Sequence, residues 1–418
     1  MKIIKTNCNF EREPLIAPFG FKGGYLSELW QTTAYMQSES CNEAIGLGTQ
    51  STLWSDANVF ASNNEFVGNN MMFQMTSYAL EKAKQIEWQT PLDLLNTILP
   101  DVYEYGKKIT SNPKLRLTFA LNSLVAVDNA AWILYCKDNS INNFEDMLPN
   151  DIKPALNCRQ DKLANIPLMS YNVPLGKIVE AVKNGYFFLK IKIGCDPDKD
   201  GNLDKMLEWD KNRLKEIHEA VKNAETPYTE NGHIHYYFDA NGRYDSKDRL
   251  MQFLNYAKKI GALERIILME EPFSEEFDED VSDIPVRLAA DESAHSDKDA
   301  LLKIQQGFTA IALKPIAKTM SMSLKIAKLA CEKNVPCFCA DLTVNPILVD
   351  WNKNVAARLP ALPGMKIGVL ESNGHQNYKN WEQMKKQHPM YGASWIEPKD
   401  GIFTLDHSFY NSNGGIFK

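Results

Sequence analysis

The 418-residue sequence is 44% hydrophobic, and its 53 acidic and 46 basic side chains give a formal net charge of −7. This length predicts two or three structural units. The charge balance, with no basic block, argues against nucleic acid as a partner. No signal-peptide-like stretch follows Met1 and no run of about 18 apolar residues occurs, so we expect a cytoplasmic protein without a membrane partner.

The first 140 or so residues predict a unit of mixed strands and helices. Up to about Val67 the sequence is strand-like and rich in loops, with mixtures of Gly, Ser and aromatic residues at 17–31 and 46–63. From Met71 it turns helical, ending in a segment at 115–135. We expect an α+β capping domain at 1–140 whose two long loops shape a substrate pocket, with the polar tail at 374–418 packing back on it.

The segment at 160–373 predicts a barrel. Short apolar runs alternate there with amphipathic segments, which is typical of β/α units around a parallel sheet. Eight runs is the number of strands in a TIM barrel. The runs lie at 166–171, 187–193, 234–239, 266–270, 286–290, 310–314, 335–340 and 365–370.

The segments between the runs predict helices at 203–224 and 321–334, because apolar residues recur there at helical spacing. A further helix is expected to begin at the N-cap Ser296 and to end at Gly307. The connection at 273–285 is short and strongly acidic, so we expect the crossover between the fourth and fifth strands to be truncated.

Three carboxylates end three consecutive predicted strands: Asp239, Glu270 and Asp291. Because the carboxyl ends of barrel strands meet at one mouth, the three negative charges would repel one another unless a cation neutralised them. An all-oxygen set of this kind suits Mg²⁺. The alternative is that each acid caps the helix after its strand, but three acids on successive strands favour the metal site.

Three lysines also lie in, or at the end of, predicted barrel strands. Lys190 and Lys192 lie two apart in an apolar strand, so both point to one face, and Lys314 ends the sixth strand, roughly opposite the second. Each lysine could instead extend its ammonium group to solvent. Buried near a metal, their pKa values would be depressed, so that a neutral amine could remove a proton α to a carboxylate while the metal stabilised the enediolate charge.

These positions resemble the enolase superfamily, and within it the muconate lactonizing enzyme and dipeptide epimerase branch of the mandelate racemase/muconate lactonizing enzyme family. Lys-Ile-Lys at 190–192, the three strand-end acids and Lys314 match its motifs in order. The resemblance implies a modified TIM barrel, (β/α)7β, with an N-terminal α+β capping domain and Mg²⁺. It also implies that Lys192 and Lys314 exchange protons and that Lys190 polarises the substrate carboxylate.

Five further polar residues lie near these positions. Asn241, Glu271 and Glu292 stand beside the predicted metal ligands, and we expect them to orient those ligands. Asp341 is expected at the same mouth. Glu371 ends the eighth strand, where dipeptide epimerases carry acids that hold the substrate ammonium group, although this chain has one acid there instead of two.

The resemblance favours a racemase or epimerase acting on an amino-acid derivative, most like an L-Ala-D/L-Glu type dipeptide epimerase. Cycloisomerases, syn-dehydratases and o-succinylbenzoate synthases of the superfamily keep the same lysines, so a lyase or cycloisomerase is the alternative. A non-catalytic metal-binding barrel is a third hypothesis. In each enzyme case the partner is a small-molecule carboxylate, and the family resemblance is compatible with a homo-oligomer.

Overall fold

The structure is a computed structural model that describes residues 1–21 and 24–417, without the side chain of Phe21. Lys22 and Gly23, which fall in the predicted cap loop at 17–31, lie outside the described residues.

The N-terminal part begins with a three-stranded antiparallel sheet in the order β1 (Ile3–Phe21), β2 (Gly24–Ser38) and β3 (Glu43–Gln50). The prediction of a long loop at 17–31 is therefore wrong for its described residues, which belong to β1 and β2. The sheet has one buried face and one partly exposed face, because the side chains of β2 alternate between buried and partly exposed from Thr32 to Ser38. Polar and aromatic residues on the outer face hide this period in the sequence.

Helices follow the sheet: α1 (Thr52–Ser55), α2 (Ala57–Ser62), α3 (Glu65–Ala83), α4 (Pro91–Thr110), α5 (Leu117–Asp138) and α6 (Phe144–Met147). Helix α5 packs directly on β3. A Cβ atom at Gly46 would lie 2.1 Å from the carbonyl oxygen of Ala126, so only glycine permits this approach. Among the described residues, α5 is also the one helix long and apolar enough to cross a bilayer, but 89% of its apolar window is buried, as expected of a core helix.

A parallel barrel follows, which confirms the predicted fold class. Its strands are β4 (Lys162–Ile166), β5 (Leu168–Met169), β6 (Phe188–Lys192), β7 (His235–Asp239), β8 (Ile266–Glu270), β9 (Leu288–Ala290), β10 (Ala310–Leu313), β11 (Cys337–Cys339) and β12 (Gly368–Glu371). β4 and β5 are two halves of one strand on either side of Pro167. β4 pairs with β12 and β5 pairs with β6, so the ring closes.

The outer layer consists of α7 (Leu175–Lys183), α8 (Leu203–Val221), α9 (Lys247–Lys259), α10 (Asp297–Gln306), α11 (Met320–Glu332) and α12 (Pro346–Ala356). Short 3₁₀ helices lie at Lys153–Leu156 and Leu263–Arg265. No helix covers the connection between β8 and β9 among the described residues, which confirms the expected truncation. Helix α10 begins with a capping box between Ser296 and Asp299 and ends at Gly307, whose φ is +111°.

The C-terminal segment contains α13 (Gly374–Asn377), α14 (Trp381–Lys386), β13 (Ile402–Thr404), α15 (His407–Ser412) and the 3₁₀ helix Asn413–Gly415. Its first part contacts the N-terminal sheet, since Tyr378 accepts a hydrogen bond from Gln31 at 2.8 Å and the Lys379 amide donates to the Pro14 carbonyl at 3.1 Å. Its later part contacts the barrel, because β13 pairs antiparallel with β4.

A buried polar contact joins α5 to the barrel helix α11. The Asp128 carboxylate accepts hydrogen bonds from the Ser321 amide at 3.0 Å and from the Ser321 hydroxyl at 2.5 Å, and the Trp132 indole donates to the same hydroxyl at 3.0 Å. Asp128 thus binds the N-terminal turn of α11, where free amide groups and the helix dipole favour a negative charge.

Candidate active site

The two lysines of β6 point into the barrel. Lys190 and Lys192 are 3% and 8% exposed, and Ile191 between them is buried on the other face, as the period of two predicts. Lys192 donates to Asp239 at 2.5 Å and to the Asn241 side-chain oxygen at 2.6 Å. Two ammonium groups in a barrel interior require anions close by, and the neighbouring strands supply them.

Lys190 is the centre of a carboxylate cluster. Its Nζ lies 3.0 Å from Asp239, 2.9 Å from Glu270 and 3.1 Å from Glu371. It also lies 4.8 Å from the centre of the Tyr237 ring, a cation–π distance. The ends of the second, third, fourth and eighth barrel strands therefore meet at one ammonium group.

Lys314 approaches the site from β10 and forms an ion pair with Asp291, at the end of β9. Its Nζ also lies 4.7 Å from the ring centre of Trp54, on helix α1 of the N-terminal part. A second lysine, Lys318, is fully buried and donates to the carbonyls of Asp291 at 2.6 Å and Ala294 at 3.0 Å. The Asp291 carboxylate therefore contacts two ammonium groups, since Lys318 Nζ also lies 3.3 Å from its Oδ1 atom.

Asn241 and Glu271, which were expected to orient the predicted metal ligands, form hydrogen bonds with residues of the cluster. The Asn241 amide nitrogen donates to Glu292 at 2.9 Å while its oxygen accepts from Lys192, so this side chain links a lysine to an acid. Glu271 accepts the backbone amide of Asp291 at 2.7 Å. Asn241 and Glu271 have φ values of +44° and +41°, a left-handed conformation that is uncommon outside glycine.

Asp341 and Glu371 form an acidic pair at the ends of β11 and β12. Glu371 accepts the Asp341 amide at 3.0 Å as well as Lys190, and Asp341 accepts the amides of Asn373 and Leu342 at 2.8 Å each. Both acids are almost fully buried. Asp341 forms no ion pair with a lysine or arginine among the described residues, so its charge is balanced only by backbone amides.

These side chains surround a cavity of about 50 Å³ between the barrel and the N-terminal part. The barrel contributes Lys190, Lys192, Lys314, Asp341 and Glu371, and the N-terminal part contributes apolar groups that include Leu29 and Trp54. Lys192 and Lys314 therefore face one enclosed space, as the predicted positions of strands two and six require.

The charges of the cluster shift the pKa values of its members. Burial alone would lower the pKa of Lys190, but attraction to Asp239, Glu270 and Glu371 outweighs it and raises the pKa well above 10.5. Burial would also lower the pKa of Lys314, but attraction to carboxylates, chiefly Asp291, outweighs this effect and raises the pKa. For Lys190 and Lys314 the direction is opposite to the one expected for lysines beside a bound metal, because carboxylates surround both amines.

The pKa values of the buried acids shift in opposite directions. Burial raises the pKa of Glu270 to about 8 and that of Asp341 to about 7, with Glu371 adding to the latter. For Asp239 the pull of Lys190 and Lys192 overcomes burial and lowers the pKa to about 2. The directions follow the contacts with lysines: Asp239 contacts Lys190 and Lys192, Glu270 contacts Lys190 alone, and Asp341 contacts no lysine among the described residues.

The acids fit a divalent cation. Glu270, Asp291 and Glu292 can bring one carboxylate oxygen each within 4.8 Å of one another. The Oε1 atom of Glu270 is buried without a hydrogen-bond partner among the described residues, and a bound cation would satisfy it. Asp239, the third predicted ligand, instead contacts Lys190 and Lys192 here. An all-oxygen set of this kind suits Mg²⁺.

Sequence reasoning missed two contributors. Lys318 lies four residues after Lys314 in an otherwise apolar stretch, and a lysine at such a position is the signal that could have revealed it. Trp54 has no comparable signal, because its approach to Lys314 depends on how the N-terminal part docks on the barrel.

A closed β/α barrel that gathers buried lysines and carboxylates at its mouth, under a unit of strands and helices, defines a class of barrel protein with an acid/base site. The family model described as enolase C-terminal domain-like matches residues 176–400, more than half of the chain. The chain belongs to this family, in the mandelate racemase/muconate lactonizing enzyme group of the enolase superfamily.

Solved structures with the same fold include racemases and epimerases. The dipeptide epimerase from Enterococcus faecalis V583, complexed with Mg and the dipeptide L-Leu-L-Tyr, is 18% identical, with 97% of this chain and 98% of that chain covered and a TM-score of 0.65. The L-Ala-D/L-Glu epimerase from Bacillus subtilis, in a substrate-liganded complex, is 18% identical over 92% of this chain and 91% of that chain, with a TM-score of 0.65.

The N-succinyl Arg/Lys racemase from Bacillus cereus ATCC 14579 is 16% identical over 91% of this chain and 89% of that chain, with a TM-score of 0.61. At these identities the likeness shows the fold alone. A search of curated protein sequences finds no match.

Proposed function

We propose that this protein is a Mg²⁺-dependent racemase or epimerase that removes the proton α to a carboxylate, most like a dipeptide epimerase. The observation that carries the proposal is the position of Lys192 and Lys314, which line one enclosed cavity from different strands. A base on each side of a bound carbon can take a proton from one face and return one to the other. That is the requirement of a 1,1-proton transfer.

Glu270 and Asp291 would hold the cation, with Asp239 from the neighbouring strand as the third ligand and Glu292 as the competing candidate. When bound, Mg²⁺ supplies electrostatic stabilisation where negative charge develops on the substrate carboxylate. Neutralisation of Asp291 by the cation would also weaken the attraction that raises the pKa of Lys314, and would bring that pKa closer to the range in which a neutral amine acts as a base.

We assign a different role to each of the three lysines that line the cavity. Lys190, already in contact with three acids, is positioned to hold a substrate carboxylate through its ammonium group. Lys192 is oriented by Asn241, which fixes its amine toward the cavity. Lys314 is held by Asp291 and by the Trp54 ring. The cap (residues 1–140) then excludes water from the barrel (residues 160–373), a division that we propose on the same grounds.

The charge of the cluster favours a substrate with a protonated amine. Among the described residues of the cluster, the buried acids outnumber the buried lysines. The two sets are Asp239, Glu270, Glu271, Asp291, Glu292, Asp341 and Glu371 against Lys190, Lys192, Lys314 and Lys318. A divalent cation leaves an excess of acid. Asp341 and Glu371 are the acids farthest along the ring of strands from the metal candidates, so we assign them to a substrate ammonium group.

The test is a proton-exchange screen in heavy water with Mg²⁺, using dipeptides, N-acyl amino acids and sugar acids. We expect deuterium to enter at one carbon of a dipeptide without any loss of water from it, and we expect replacement of Lys192 or Lys314 by alanine to stop this. If the Lys192→Ala variant kept every activity found while Mg²⁺ only raised the melting temperature, the barrel would be a non-catalytic metal-binding protein.

A second candidate is a one-base reaction, either β-elimination or cycloisomerisation. The cation–π contact between Lys314 and Trp54 favours it, because the ring stabilises the charged form of the amine. A permanently protonated Lys314 would support negative charge instead of removing a proton. Release of a 2-keto acid from a hydroxy acid, with exchange lost only in the Lys192 variant, would select this reaction.

A further inference from the structure

A cavity of about 350 Å³ lies at the end of the barrel opposite the mouth. Its walls include His235 and Ile266, the first residues of β7 and β8, and Arg287, which immediately precedes β9. Because the strands are parallel, their first residues meet at one end of the barrel, and the predicted metal ligands lie at the other. Among the described residues, none lines both this cavity and the active-site cavity. Its volume is that of an ordinary small-molecule pocket, roughly 300–1,000 Å³.

His235 is buried in the wall of this cavity and lacks a hydrogen-bond partner. It is 3% exposed, and neither ring nitrogen has a partner of hydrogen-bond geometry among the described residues. By the period of two it shares the inward face of β7 with Tyr237 and Asp239. Burial lowers its pKa to about 4, with the Arg265 backbone opposing the shift in part, so the ring is neutral near pH 7. A neutral imidazole offers one donor and one acceptor, and leaving both unused in a buried place is unfavourable.

Arg287 brings a positive charge to the same cavity without an anion of its own. Its side chain is partly buried, and its guanidinium group forms no hydrogen bond or ion pair within the part of the chain that the structure describes. Burial lowers its pKa, because no carboxylate compensates for the lost hydration. A guanidinium group presents two parallel N–H donors that match the two oxygens of a carboxylate. The cavity therefore offers a place for one carboxylate group at Arg287.

Two exposed acids, Glu230 and Glu264, also line the cavity. Neither forms an ion pair with another described residue. The negative charge of Glu230 acts on His235, so these two side chains lie close to each other. Two acids beside one guanidinium group disfavour a ligand with several negative charges and favour one that carries a carboxylate and an ammonium group. The remaining wall is largely apolar and includes Ile266, Ile267, Pro285, Val286 and Pro363.

We propose that this cavity binds an α-amino acid with an apolar side chain, in its zwitterionic form. The carboxylate pairs with Arg287. The ammonium group donates to a ring nitrogen of His235 and pairs with Glu230, and the apolar side chain packs on the wall formed by the ends of β8 and β9. This binding site goes beyond the proposed function, and its test does not depend on racemase activity. The alternative is a solvent-filled depression, because the amino ends of barrel strands usually contribute stability and not chemistry.

The test uses L-leucine and two analogues that each lack one of its charges. 4-Methylpentanoate has no ammonium group, and L-leucinamide has no carboxylate. Inorganic phosphate serves as a plain anion. Binding to the full chain is measured by calorimetry near pH 7 without added Mg²⁺. We expect L-leucine to bind at least about 10-fold more tightly than either analogue, since each analogue loses one charge-assisted contact, and we expect phosphate to bind more weakly than L-leucine.

Variants then show where the amino acid binds. Arg287→Gln should weaken the binding of L-leucine by about 10- to 100-fold, the range of a charge-assisted hydrogen bond. Arg287→Lys keeps the charge without the two parallel donors, and it should recover part of this loss. Arg249→Gln is the matched control, because Arg249 pairs with Asp204 and Asp245 on helix α9 and does not line this cavity. It should bind L-leucine as the wild type does.

His235→Phe separates a ligand-binding histidine from a structural one. We expect it to weaken the binding of L-leucine by about 3- to 10-fold, the range of a neutral hydrogen bond. Its melting temperature without ligand should equal or exceed that of the wild type, since a buried polar group without a partner is removed. A lower melting temperature with unchanged affinity would make His235 a structural residue and overturn the proposal. No binding of L-leucine up to its solubility limit, equal binding of the three organic probes, tighter binding of phosphate, or full affinity in Arg287→Gln would overturn it as well.

Discussion

Buried carboxylates occur in two regions of this protein, and the two regions differ in how fully those carboxylates are hydrogen-bonded and neutralised. At the junction of α5 with α11, Asp128 has two donors from Ser321, and Trp132 completes the same network. At the barrel mouth, the described acids outnumber the described lysines, and Glu270 has a buried oxygen without a hydrogen-bond partner among the described residues. Both regions are almost fully buried, so burial does not explain the difference.

The contrast separates groups that hold the fold from groups that are available to a ligand. A satisfied buried carboxylate stabilises one arrangement, whereas an under-neutralised cluster is stabilised by whatever cation enters it. We therefore expect changes at the mouth to affect ligand binding and turnover, and changes at the junction to affect stability. Four experiments test this distinction.

The largest effect is expected from the two facing lysines. Lys192→Ala and Lys314→Ala should each reduce the rate of isotope exchange by about 10³-fold, because general acid–base catalysis contributes roughly 10²- to 10⁴-fold. Exchange followed by NMR measures this. Lys205→Ala, on an exposed part of α8, is the control and should be silent. A facing-lysine variant that kept a tenth of the wild-type rate would contradict the assignment.

Glu270→Gln should remove stabilisation by Mg²⁺. A ligand at a hundred times its Kd stabilises a protein by about 2.7 kcal/mol, and the melting temperature of the wild type should rise accordingly. In the variant this rise should vanish, because the ligand oxygen loses its charge. Asp239→Asn and Glu292→Gln, measured in the same way, identify the third ligand. A full Mg²⁺ shift in Glu270→Gln would place the ion elsewhere.

Asp128→Ala should lower the free energy of unfolding by about 2–3 kcal/mol, since the Ser321 amide and hydroxyl would lose a buried acceptor. Chemical denaturation measures the change. Mg²⁺ affinity should stay as in the wild type, which is the sense in which the junction differs from the mouth. A weaker Mg²⁺ affinity with unchanged stability would reverse the two roles.

The smallest effect concerns pH. Burial raises the pKa of Asp128 to about 7, well above its unfolded value, so the folded protein binds more protons than the unfolded chain between about pH 4 and 7. Stability contributed through this group is therefore lost as pH rises, by about 1 kcal/mol between pH 6 and 7. Asp128→Asn should flatten that slope in denaturation curves. An equal slope in both proteins would show that Asp128 does not titrate there.

The sequence predicts the barrel well, because its strands are short apolar runs and because the spacing of Lys190 and Lys192 fixes which face they share. It does not predict the hairpin of β1 and β2, whose outer face is polar and aromatic. Nor does it predict that Asp239 contacts Lys192 while Glu292 lies near Glu270 and Asp291. Strand order determines which residues reach the mouth, but side-chain conformation decides which of them meet.

The most direct test of the central claim is anomalous diffraction from crystals soaked with Mn²⁺, which takes the same oxygen ligands as Mg²⁺. We expect one strong peak at the barrel mouth, within roughly 2.0–2.3 Å of carboxylate oxygens of both Glu270 and Asp291. A peak bound to neither acid, or no peak at a saturating Mn²⁺ concentration, would contradict the account.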